Sequence, residues 1–219
     1  MKASSNPVSL PPLPPNYAKA LELIDDAHKE DPKQTTTAPL MPYELHYAQK
    51  MTRWLAARCP DAAPVLQLAC RAQHFRRWEI PRSSYPMTRA GYLTWRAKLK
   101  AQCAEQVATL LASSPAIQPP LPEEDVARVA ALMRKEGLGK GGGTGADAET
   151  QVLEDVACLV FLDDQFEDFK TREGIDEDKI VGILRKTWGK MSDRGRQLAL
   201  GMDLSDRARA LVLKALEEE

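Results

Sequence analysis

The chain has 219 residues, 43% of them hydrophobic and 28% charged, which excludes wholesale disorder and fits one generous globular domain. The formal net charge of −1 excludes a globally basic nucleic-acid binder and a polyacidic protein alike. No apolar run reaches the ~18 residues of a membrane span, no charged-then-apolar leader opens the chain, and four scattered cysteines without a CxxC pair suit reduced thiols. The expectation is a cytoplasmic or nucleocytoplasmic protein with no membrane partner.

Residues 1–15 are predicted to be a proline-rich tail: Pro7, Pro11, Pro12, Pro14 and Pro15 disfavour helix and favour polyproline II. From residue 16 the apolar positions recur every three or four residues. Tyr17, Leu21 and Ile24 mark a first helix that stops at Asp31-Pro32. Pro42 opens a second, with Leu45, Met51, Trp54 and Leu55, ending near Cys59-Pro60. Pro64 opens a third that Pro81 is expected to close. A long helix from Thr88 carries Tyr92, Trp95, Leu99, Cys103, Val107 and Leu110. After a connector with Pro115, Pro119, Pro120 and Pro122, Val126, Val129, Leu132 and Met133 mark the next. Helices over 152–169, 180–188, 194–200 and 205–216 follow, the last capped by Ser205. No stretch alternates with period two. The expectation is an all-α, single compact domain over 16–219 with eight to ten helices. The glycine-rich run 137–147 lacks the spacing and preceding strand of a phosphate loop, and reads as a surface insertion.

Charge is unevenly spread. Residues 71–100 hold eight Arg and Lys against Glu79 alone, whereas residues 147–180 hold twelve acids against three bases. The acids include a cluster at Asp163, Asp164, Glu167 and Asp168, read as a solvated or ion-paired face. The basic stretch interleaves Arg77, Arg82 and Arg96 with Trp78 and Tyr85 at a proline-bounded helix junction. Guanidinium forks suit phosphate or carboxylate and rings offer stacking faces, so these five residues are the expected anion-binding set. The competing reading is a junction whose arginines pair with acids elsewhere. Asp155 falls on the stripe of Val152, Leu159 and Leu162, so it needs a pair, a hydrogen bond or a metal. His28, beside Lys29 near a helix end, reads as solvated.

Several runs carry a resemblance: 71–82 (RAQHFRRWEIPR), Tyr85-Pro86, 89–92 (RAGY), Trp95-Arg96, 153–162 (LEDVACLVFL) and 185–188 (RKTW). They resemble an uncharacterised family of bacterial and fungal proteins catalogued as a domain of unknown function, over about residues 17–217. A second, more distant resemblance is to the HD metal-dependent phosphohydrolase superfamily, in which His74 matches the motif histidine and Asp155 the late aspartate. It implies an HD-like fold, a divalent metal ion held by His74 and Asp155, and catalytic roles for His74, Asp155 and Glu154 on a phosphorylated small molecule or nucleotide. Two departures stand out: Phe75 replaces the paired aspartate, and Glu44 or Tyr47 occupies the place of the first histidine. Cys103 could serve as a thiolate ligand, although its stripe suits a core cysteine. The run 190–194 (KMSDR) looks like the KMSKS signature of class I synthetases, and members of the family are sometimes named glutamyl-tRNA synthetase. Without a HIGH-type motif or a readable nucleotide fold, the run reads as a helix junction capped by Ser192 and the chain as no synthetase. The expected function is an HD-like, metal-assisted hydrolase with an Arg/Trp/Tyr anion pocket. The alternative is a non-catalytic module binding an anion, RNA or a protein, with a small anionic ligand favoured over RNA. His74, Trp78, Arg82, Tyr85, Arg96, Glu154 and Asp155 are expected to share one concavity.

Overall fold

The computed structural model describes residues 9–36, 39–139, 147–166 and 176–216. Among them lie nine α-helices and no β-strand, within the expected eight to ten; an isolated antiparallel bridge joins Gln34 and Pro42. No helix of the described residues is long and apolar enough to cross a membrane. The chain divides into two compact units, Met1–Ala56 with Pro60–Glu136, and Ala57–Cys59 with Gly137–Glu219.

The first unit contains α1 (Pro15–His28), most of α2 (Tyr43–Arg58), α3 (Pro64–Arg71), α4 (Arg89–Ser113) and α5 (Glu123–Arg134). Pro15 and Pro64 stand at the first helical position, where the missing N–H has no intrahelical partner to lose. Thr88 caps α4 by accepting from the Gly91 amide. That glycine is required: a Cβ there would lie 2.2 Å from the carbonyl oxygen of Pro86. α5 packs against α3 and α4, and α1 against α3. Ile24, Met51, Leu55, Leu66, Leu68 and Leu132 are fully buried between them. Part of the proline tail lies against this unit, where the Pro11 carbonyl accepts from Gln67 Nε2 at 3.2 Å; residues 1–8 lie outside the described residues.

α3 is much shorter than the sequence predicts, ending at Arg71 instead of near Pro81. The Arg71 carbonyl pairs with His28 Nε2 at 3.0 Å, and Arg76 turns the chain through the left-handed region at φ 48°. Two short 3₁₀ turns, Arg77–Glu79 and Arg82–Ser84, then lead into α4.

The second unit contains α6 (Ala148–Val160), α7 (Glu177–Trp188), α8 (Asp193–Leu200) and α9 (Asp206–Leu216). Asp147, Asp176 and Ser192 cap the first three through side-chain oxygens, and Ser205 Oγ accepts from the Ala208 amide at 3.3 Å. α6 packs against α8 and α7 against α9, with Leu153, Leu159, Leu184 and Met191 buried. The helix expected over 152–169 widens into a π-helical stretch at Phe161–Gln165. The glycine-rich insertion is bounded by Gly137, at φ 72°, whose carbonyl accepts from the Asp147 amide. Its residues 140–146 lie outside the described residues, as do Glu167 and Asp168 of the acidic cluster.

Candidate anion site of the first unit

The first unit encloses more polar chemistry than its sequence advertises. His28 is fully buried, which corrects the solvated reading. A carbonyl can only accept, so the contact with Arg71 O places a proton on Nε2. Nδ1 then faces Glu44 Oε2 at 3.4 Å, and neither atom has a hydrogen-bond partner of good geometry. Glu44 sits in the first turn of α2 and is 3% exposed. Burial pushes its carboxyl above the ordinary carboxylate value, while His28 pulls it the other way. Arg71 anchors the same region, gripping Asp25 with both arms at 2.6 and 2.7 Å and donating to Thr52 Oγ1 at 2.9 Å.

His74 lies flat on Tyr47, with ring centroids 3.5 Å apart. Its Nδ1 is buried without a hydrogen-bond partner. Burial, followed by the charges of Arg77, His28 and Arg96, holds the imidazole well below the usual histidine value. Arg77 and Arg96 are both half-buried, and no hydrogen bond or ion pair among the described residues engages either guanidinium. Arg77 lies over the Trp95 ring at 4.9 Å. Cys103, on the buried face of α4, is a protonated core thiol, pushed up to about 12 by burial.

The other basic-corner residues divide by role. Arg82 donates to the carbonyls of Tyr85 (2.9 Å) and Pro86 (2.8 Å), so its guanidinium ties down the loop that leads into α4. It also lies 6.0 Å from the Tyr92 ring and 5.9 Å from that of Trp95. Trp78 and Tyr85 are half-buried on the same connection.

Glu154 and Asp155 belong to the second unit, where both are buried. Asp155 accepts from Arg58 Nε at 2.7 Å, the Ser192 amide at 2.8 Å, Gln151 Nε2 at 3.0 Å and the Ser192 hydroxyl. Gly195 lies so close that a Cβ there would meet Asp155 Cγ at 2.7 Å. This carboxylate is the hub of a helix junction: it fixes Ser192, which caps α8, while the Lys190 carbonyl accepts from Gln151. The KMSDR run is therefore the helix junction its sequence suggests. Glu154 has Lys190 Nζ at 3.8 Å.

Both oxygens of Asp155 already accept from protein donors, the charges nearest His74 are cationic, and no group of three or more His, Cys, Asp and Glu among the described residues could hold a metal.

Sequence reasoning missed Arg58, and missed that Glu44 and His28 are buried against each other. An acid in a first turn and a base in a last turn are ordinary responses to the helix dipole, and nothing local says that these ones are buried. Asp155 was identifiable because it interrupts an apolar stripe, but its cation comes from α2 and not from the basic stretch.

No curated protein and no solved structure matches the chain. A family model covers residues 18–212, nearly the whole of it, and the chain belongs to that family, described as a domain of unknown function (DUF4202).

Proposed function

We propose that the first unit binds an oxyanion of the phosphate class through Arg77, Arg96 and His74, as a binding module of a cytoplasmic protein. The observation that carries this reading is the pair of half-buried guanidiniums that no hydrogen bond or ion pair among the described residues engages, beside an unsatisfied imidazole nitrogen. Partly desolvated cations are costly unless they are matched by an opposite charge, and a ligand would supply it. Trp78 and Tyr85 would flank the ligand, and Arg82 would act indirectly by holding the loop in place.

A hydrolytic reading is favoured by one further observation, the buried Glu44 carboxyl, raised above its ordinary value by burial and lying 3.4 Å from His28 Nδ1 in the same unit. Glu44 would then be the general acid, a role taken by none of the three residues, His74, Asp155 and Glu154, for which the HD-like reading expects catalytic roles. Turnover of a phosphoester with loss in Glu44→Gln would favour the hydrolase; binding without turnover would favour the module.

Thermal unfolding with inorganic phosphate or pyrophosphate tests the site itself. A ligand at a hundredfold excess over its Kd stabilises by ~2.7 kcal/mol, a rise of about 5–11 °C in Tm for a chain of this size. Arg96→Gln should remove most of that rise while leaving the ligand-free Tm within a few degrees. A wild-type Tm that neither anion moves, or a rise that survives in Arg96→Gln, refutes the site.

A further inference from the structure

The surface leading to this site has a second character. Between Ile80 and Ala104 there is no acid, but there are five bases: Arg82, Arg89, Arg96, Lys98 and Lys100. Arg89, Leu93 and Arg96 are spaced by four and three and so share one face of α4, about 10 Å from first to last along the axis. Leu93 on that face is 56% exposed, neighbouring Tyr92 is 44% exposed, and Met87 just before the helix is 81% exposed. Beside them the rings and guanidiniums alternate: Tyr92 and Trp95 lie 5.8 Å apart, Arg82 approaches both, and Arg77 lies over Trp95.

We infer that this face of α4 binds a single-stranded polynucleotide, with one backbone phosphate entering the Arg77–Arg96 site and bases packing on Tyr92, Leu93 and Met87. The inference rests on the oxyanion reading above and names the ligand class that the site serves. Two features favour a strand over other polyanions. A basic track beside exposed ring and apolar faces is what sequence-tolerant strand recognition needs, because every phosphate carries charge and every base offers a π-face. The recessed arginines also call for a ligand whose phosphate stands clear of its neighbours, as in an unpaired strand. An anionic bilayer would meet the exposed aliphatic groups but leave Arg77 and His74 behind the surface.

The test uses the full chain and fluorescein-labelled single-stranded RNA and DNA of the same mixed sequence, with a duplex and phosphatidylserine vesicles as competing ligands. The expected result is anisotropy binding to a single strand, weaker binding to the duplex and no sedimentation with vesicles. Tyr92→Ala should weaken binding roughly tenfold through lost stacking. Arg89→Ala should reduce the slope of log K against log salt by about 0.7, the value for one phosphate on a single strand. Both positions are exposed, so neither variant should alter the fold or the phosphate-induced rise in Tm. A preference between RNA and DNA identifies the sugar. Strand binding that ignores both substitutions, or vesicle binding without strand binding, overturns the inference. If phosphate still raises Tm in an Arg96-dependent way while no strand binds, the strand fails and the oxyanion site stands; if neither ligand binds, both fail.

Discussion

Asp155→Ala should be among the most destabilising single substitutions in the second unit. The wild-type carboxylate is fully buried and receives four donors, one of them the guanidinium of Arg58, whose side chain is itself only 16% exposed. Removing the carboxylate leaves a largely buried cation uncompensated, which costs about 3–5 kcal/mol. It also frees the Ser192 hydroxyl and amide at the start of α8. For a chain of this length each kcal/mol is worth about 2–4 °C, so Tm should fall by roughly 6–20 °C. Urea unfolding followed by circular dichroism gives the free energy directly, and hydrogen exchange in α6 and α8 locates the loss. Arg58→Met combined with Asp155→Ala should cost less than the sum of the two single changes, because the orphaned charge is gone. A loss below about 1 kcal/mol, or additive single costs, would refute the buried-hub assignment. A gain in stability would indicate instead an acid held under strain for a ligand, as at functional sites that trade stability for activity.

Gly195→Ala tests the same junction sterically, since its methyl would sit 2.7–2.8 Å from the Asp155 carboxylate; a loss of about 1–3 kcal/mol in urea is expected. Two titratable groups of the first unit should bend the pH profile of stability in opposite directions. His74, depressed in the fold, contributes stability that is present above the ordinary value of 6.5 and is lost as pH falls through its folded value, so stability rises with pH in that window. Glu44, raised in the fold, contributes stability that is present below the ordinary value of 4.5 and is lost as pH rises through its folded value. Urea midpoints across pH should therefore lose the first slope in His74→Gln and the second in Glu44→Gln; unchanged profiles in both variants would contradict the burial assigned here.

Helix class and most helix positions follow from the sequence because the apolar period, the prolines and the caps are local properties. Thr88, Ser192 and Ser205 cap where a short polar residue precedes an apolar-periodic run, and Pro15 and Pro64 stand where their rings fit. The early end of α3 was not legible, because one of its causes is a histidine forty-three residues away that binds the Arg71 carbonyl. The same limit governs the polar residues. Asp155 could be singled out as an acid on an apolar stripe, and the Arg77–Arg96 stretch as a basic corner, from spacing and composition alone. Which cations are matched is a question of distance in space: Arg71 has Asp25, Arg58 has Asp155, Arg82 has loop carbonyls, and Arg77 and Arg96 meet no acid in an ion pair among the described residues. Periodicity along a helix determines which face is buried, but the partner of a buried charge comes from another helix, and only the folded chain brings the two together.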